Sequence, residues 1–223
     1  MSILPILEFM KVIIQFGLAF TLFTRWFKAR VHFFTDIPFI FGVTMLSIAS
    51  GELLDVLMDY GILDKTLSLY QIRILVLFVG AIFLVYLICL IWLRDNILQQ
   101  CVLVGSYATA FATVVFVSSS IEKLLFYVSV LLAFVMIPGI ITFFMIWRLK
   151  RIPELNSGLI FIGGVTILIG QFAEYILLES GLLWVCEFVD LIGWIFMLLA
   201  LFIKPSYALT SRMNKSNGST SSM

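Results

Sequence analysis

Glu52, Glu174 and Asp190 each lie well inside a run of apolar residues. An ionisable side chain near the centre of a bilayer costs about 2.5 to 3.5 kcal/mol on insertion scales, so such groups turn inward, find partners and mark functional positions. Helix rise places all three about 5 to 8 Å from the midplane, toward one side. Around them the spacing is orderly. Asp55 and Asp59 follow Glu52 at i+3 and i+7, on one face of a helix, and Glu8, Lys11 and Gln15 share a face of an earlier helix at the same spacing. Glu8 and Lys11 are close enough to pair, and Lys11 is the only amine at the depth of the three central acids. Arg73, near the start of a third apolar run, is the other candidate counter-ion.

Crowded, desolvated carboxylates share protons, coordinate a cation or line a wet pocket, and beside Lys11 and Arg73 they can equally form a static ion-pair network. Glu52, Glu174, Asp190, Asp55 and Glu8 are therefore the candidate ligand or ion-binding residues. Asp59, Asp64, Glu122 and Glu179 fall near the ends of apolar runs and read as solvated interface charges. Catalytic groups are scarce. The single histidine, His32, lies in a basic connection and reads as solvated, so there is no His cluster for a metallohydrolase and no intramembrane Ser and His pair for acyl transfer. No Gly-x-Gly-Asp signature of intramembrane aspartyl proteases occurs. Cys89, Cys101 and Cys186 have no pairwise motif, which argues against a disulfide framework or a Cys-rich metal site and leaves them as lipid-facing or packing residues. The expectation is a non-enzymatic protein without cofactor or bound structural metal, and with no role for nucleic acid.

The elements that must position these groups are membrane spans. Of 223 residues 62% are hydrophobic and 12% charged, and the mean hydropathy is +1.15, more apolar surface than a soluble core buries. A span needs roughly 20 mostly apolar residues in helical form, because lipid offers the backbone no hydrogen bonds. Apolar runs predict an all-α integral membrane protein with seven spans, at residues 3–23, 38–60, 71–93, 97–118, 124–147, 158–178 and 182–203. Ten of the fourteen Lys and Arg residues fall in the connections after spans 1, 3 and 5 or after span 7. The positive-inside bias then places the N-terminus outside and the C-terminus in the cytoplasm of a cell-membrane protein. Trp26, Trp92 and Trp147, each one or two residues from an Arg, read as interface anchors. The first span has no basic leader and reads as retained. The tail, residues 205–223, is rich in Ser and Asn and predicted to be a disordered cytoplasmic segment.

Seven spans divide as three, one and three, the layout of a parallel internal repeat with units 1–93 and 119–204 joined by a connector helix over 97–118. Gly42-Val43-Thr44 precedes Glu52 by the spacing at which Gly164-Val165-Thr166 precedes Glu174. Both segments leave their helix through an acid-x-Gly-x-Leu sequence, Asp59-Tyr60-Gly61-Ile62-Leu63 and Glu179-Ser180-Gly181-Leu182-Leu183. In the connector, Gly105, Ala108, Ala112 and Thr113 form a small surface on which a neighbouring helix is expected to approach closely, with Ser106, Thr109 and Thr113 adding interhelical hydrogen bonds. Pro138-Gly139 predicts a kink in span 5.

Seven spans with an outward N-terminus resemble microbial rhodopsins, but residues 182–203 contain no lysine for a retinal Schiff base. The three-one-three layout resembles the sugar carriers with Pro-Gln loops, yet no Pro-Gln pair occurs. The run Gly164 to Phe202, with Glu187-Phe188-Val189-Asp190-Leu191-Ile192-Gly193-Trp194 opening the last span, resembles the seven-helix membrane modules of archaeal and bacterial sensor proteins. That resemblance implies a sensor or regulatory module with an outward acidic pocket for a proton, cation or small ligand, signalling through a membrane or cytoplasmic partner protein. A small-solute or ion carrier built from two parallel three-helix repeats is the alternative, and a structural subunit of a membrane complex the third reading.

Overall fold

Apolar runs of this length must satisfy their own backbone, and they do so as helices. The computed structural model describes residues 4–150, 156–177 and 182–204, without the side chains of Pro5 and residues 174–177. Among these residues there are seven α-helices and no strand: α1 (Leu4–Phe27), α2 (Ile37–Asp59), α3 (Leu67–Trp92), α4 (Ile97–Val117), α5 (Ile121–Leu149), α6 (Ser157–Leu177) and α7 (Leu183–Phe202). Six of them are long and apolar enough to cross a membrane, and in α6 the stretch whose side chains are described, Ser157–Ala173, is apolar as well. The chain is a multi-pass membrane protein on that basis. Glu179, Arg151, Glu154 and the tail from Pro205 lie outside the described residues.

Local chemistry sets the helix ends, and it moves several of them past the expected limits. α3 starts at Leu67 rather than near residue 71, because the Thr66 hydroxyl accepts a hydrogen bond from the Leu69 amide (3.2 Å). Asn96 caps α4 by accepting from the Gln99 amide (3.1 Å). α1 continues to Phe27, bringing Arg25 into its last turn, where a cation complements the exposed carbonyls. After α2 the chain turns through Gly61 at φ 69°, with the Ile62 and Leu63 amides donating back to the Leu57 carbonyl. α5 runs without interruption through Pro138.

By its internal contacts the chain divides into two compact units, residues 1–139 and 140–223. In the first, α1 packs on α2, α2 on α3 and α3 on α4. Small residues let the α2 and α3 backbones approach: a Cβ on Gly80 would lie 2.9 Å from Ser47 Cβ and 3.1 Å from the Thr44 carbonyl oxygen, and the Thr44 hydroxyl donates to the Gly80 oxygen (3.2 Å). A second core joins α3, α4 and the start of α5 through Ile74, Phe111, Val115, Leu124 and Val128, with Phe78 stacked on Phe111 at 4.7 Å.

That core corrects the expected packing of α4. The helix buries Gln100, Phe111 and Val115, whereas Gly105 and Thr113 are exposed and a Cβ on Gly105 would meet nothing within 4 Å. The Ser106, Thr109 and Thr113 hydroxyls donate to carbonyls of their own helix, at Leu103, Gly105 and Thr109. Large apolar side chains outcompeted the small face for the protein interior, and hydroxyls on a helix satisfy themselves locally. Cys101 is exposed, while Cys89 and Cys186 are buried packing residues. His32 is exposed, as expected of a solvated residue, but it also packs edge-on against Trp26 (5.0 Å) within an aromatic cluster that includes Phe34 and Phe39.

In the second unit α6 and α7 pack through glycines. A Cβ on Gly163 would lie 2.7 Å from the Gly193 carbonyl oxygen, and one on Gly193 would lie 2.6 Å from Ile167 Cγ1. The Asn156 amide donates to the Ala200 carbonyl (3.2 Å), tying the start of α6 to the last turns of α7. Trp147 of α5 covers Gly158 and stacks on Phe161 (centroids 6.3 Å apart, 12° between planes).

Candidate functional site

The first unit brings charged residues together inside its apolar helices. Lys11 of α1 is 4% exposed, and its ammonium lies 3.5 Å from the carboxylate of Glu52 on α2, which is 27% exposed. Asp55, one turn further along α2, pairs with the Arg73 guanidinium of α3. Asp59, at the end of α2, accepts a 2.7 Å hydrogen bond from Lys65 in the α2–α3 turn. The i, i+3, i+7 face read from the sequence therefore becomes a short ladder. Each acid meets a cation from a different place: α1, α3 and the connecting turn.

The rungs differ in environment. The Lys65 and Asp59 side chains are 54% and 44% exposed, so water screens that pair. The Asp59 hydrogen bond and charge raise the Lys65 pKa above its ordinary value of 10.5. Lys11 is almost wholly buried, and Glu52 with Asp55 and Arg73 is partly so, which makes their interactions stronger and the loss of either member more costly. On each of these three rungs an acid of α2 faces a cation. Lys11, whose spacing puts it within reach of Glu8, extends to Glu52; Glu8 itself is half-buried near the start of α1. Among the described residues no three His, Cys, Asp or Glu side chains converge as a metal-ligand set.

One turn from Lys11 on the same face, Gln15 is 0% exposed, and neither its amide nitrogen nor its amide oxygen has a hydrogen-bond partner in the protein. Sequence spacing placed Gln15 on this face but gave no sign that both of its polar atoms would be left without a protein partner.

In the second unit Asp190 sits against a helix backbone. Asp190 of α7 is 8% exposed and lies against α6 at Gly170, where a Cβ would overlap its carboxylate and would stand 3.2 Å from the Cys186 carbonyl oxygen. Gly170 thus makes the space the carboxylate occupies. Sequence reasoning missed it, although Gly163 and Gly170 are one heptad apart on one helix face, the pattern of a close helix contact. Glu187 is half-buried one turn before Asp190. The Glu174 side chain lies outside the described residues, and its backbone belongs to α6. Residues 152–203 contain no Lys, Arg or His.

Glu52, Asp55, Lys11 and Arg73 are thus placed together by the first unit, while Asp190 is placed in the second. No family model matches this chain, and neither the curated proteins nor the solved structures contain a match to it.

Proposed function

We propose that this chain is a non-enzymatic membrane sensor or regulatory module in which the acid–base ladder along α2 responds to a proton, a cation or a small ligand and signals through a membrane or cytoplasmic protein partner. The observation that carries this reading is the pairing of Lys11 with Glu52 and of Arg73 with Asp55 inside apolar helices. Through these pairs α2 is clipped to α1 on one side and to α3 on the other. Neutralising one member or engaging it with a competing ion weakens the pair where solvation is poor, so a local chemical change becomes a change in helix contact. Glu8, Asp190 and Glu174 are the further candidate residues. The distribution of Lys and Arg supports seven crossings with the N-terminus outside and the C-terminus in the cytoplasm.

A carrier built from two parallel three-helix repeats is the second reading, supported by one correspondence. Gly42 and Gly164 open the two matching tripeptides, and each faces the helix before its own: a Cβ would lie 3.2 Å from Phe23 at Gly42 and 3.1 Å from Ile140 at Gly164.

Thermal unfolding of the purified protein across pH 5 to 8 and a panel of cations and small solutes, for wild type and Glu52→Gln, tests the proposal. A shift in wild type that the variant loses supports a responsive ladder, and flux in liposomes by the protein alone would then select the carrier. No shift under any condition contradicts both readings and leaves a structural subunit, to be sought by co-purification of a partner.

A further inference from the structure

Several buried and half-buried polar side chains of this chain are served by nearby carbonyls, and Gln15 is not. The Thr44 hydroxyl donates to the carbonyls of Ile40 (2.9 Å) and Gly80 (3.2 Å), and Thr21, Thr24 and Ser50 donate to the carbonyls of Gly17, Phe20 and Leu46 one turn back. Glutamines do the same across helices: the Gln71 amide donates to Val115 (2.9 Å) and the Gln100 amide to Leu93 (2.7 Å). Gln15 alone among these has both a donor and an acceptor fully enclosed and unmatched by protein. A hydroxyl satisfies itself on the preceding turn, but a carboxamide carries two N–H groups and a carbonyl that a hydrogen-bonded helix does not serve. Leaving both dry in an apolar interior is costly.

α1 packs on α2, and Gln15 is enclosed on the face of α1 from which Lys11 reaches Glu52. We propose that Gln15 is the floor of a small internal site in the α1–α2 seam, below the Lys11–Glu52 pair, and that the site takes water. Three groups specify the occupant. The Lys11 ammonium one turn away disfavours a cation, and the Glu52 carboxylate and the Gln15 carbonyl disfavour an anion. The Gln15 amide requires an acceptor while its carbonyl requires a donor, and a small neutral molecule that does both meets the set. This site stands on Gln15 and does not depend on the response proposed for the ladder. Its presence places exchangeable protons near the middle of α1 (Leu4–Phe27), one turn from a buried ion pair.

The test is water-to-protein magnetisation transfer in solid-state NMR of the full chain in lipid bilayers, with glutamine side-chain amides labelled with nitrogen-15. The Gln15 signal is assigned by its loss in Gln15→Leu, or in Gln15→Met where the leucine variant fails to insert. Exposed Gln99 supplies the wet reference and Gln71, bonded to Val115, the protein-bonded one. The expected result is build-up at Gln15 close to that of Gln99 and several-fold faster than that of Gln71, despite its enclosure. Build-up at Gln15 as slow as at Gln71 would overturn the proposal, because the amide would then be dry or bonded to protein.

Discussion

The first unit sets the half-buried acids of α2 against cations, and in the second the buried Asp190 fits against a helix backbone. In α1 to α3, Glu52 and Asp55 are neutralised by Lys11 and Arg73. In α6 and α7, where residues 152–203 supply no basic side chain, Asp190 occupies the space left by Gly170 between helices already close at Gly163 and Gly193. An ion pair holds two helices by a force that ends when one charge is removed. A glycine contact holds them by shape, which no change of solution alters. The two arrangements predict that losing a charge tells most at the α2 ion pairs and that added bulk tells most at the α6–α7 glycines.

Removing a charge from the first unit is expected to have the largest effect. Glu52→Gln takes a carboxylate away from the almost wholly buried Lys11 ammonium and should cost about 3 kcal/mol, the low end for breaking a buried pair because Glu52 is 27% exposed. Lys11→Met should cost less, since the remaining carboxylate has the greater access to solvent, and the double variant should recover much of the loss. Equal losses for the two single variants, read by equilibrium unfolding, would break the asymmetry. In the second unit, Gly193→Ala sets a methyl against the Gly163 carbonyl oxygen (2.9 Å) and should cost about 1 to 3 kcal/mol by overpacking, with no dependence on pH or ions. Gly170→Ala should cost less than Gly193→Ala, because the group it meets is a side chain that can rotate; if it costs more, the position of Asp190 matters more to the unit than its backbone contacts do.

The exposed rung sharpens the contrast from below. Lys65→Met should change stability by less than about 1 kcal/mol. Because the folded-state pKa of Lys65 is raised, its contribution is fully present below the ordinary value of 10.5 and fades as pH rises through the raised value. An unfolding series across alkaline pH that shows a difference between wild type and Lys65→Met at pH 8 but none above the raised value fits that sign.

Helix number and approximate limits were legible because lipid imposes length and hydropathy on every span, and the i, i+3, i+7 spacing marked the faces that became the ladder. Which cation meets which acid was less legible. Lys11 can reach either Glu8 on its own helix or Glu52 across the seam, and only the packing of α1 on α2 decides. The packed face of α4 was misread because the small residues Gly105, Ala108 and Ala112 suggest close approach, while Phe111 and Val115 offered more surface to bury. Gly170 went unnoticed because its role depends on Asp190, twenty residues away on another helix.

The central claim is that the Lys11–Glu52 pair holds α1 against α2 in a way that a chemical signal can release. A pair of spin labels at Met10→Cys and Tyr60→Cys, with Cys89, Cys101 and Cys186 replaced by Ala, reports the distance between α1 and the end of α2 in lipid nanodiscs. The account predicts that the distance distribution changes under at least one condition across pH 5 to 8 and the cation and solute panel, and that Glu52→Gln shows the changed distribution under every condition. One unchanging distribution, shared by wild type and Glu52→Gln, would contradict it.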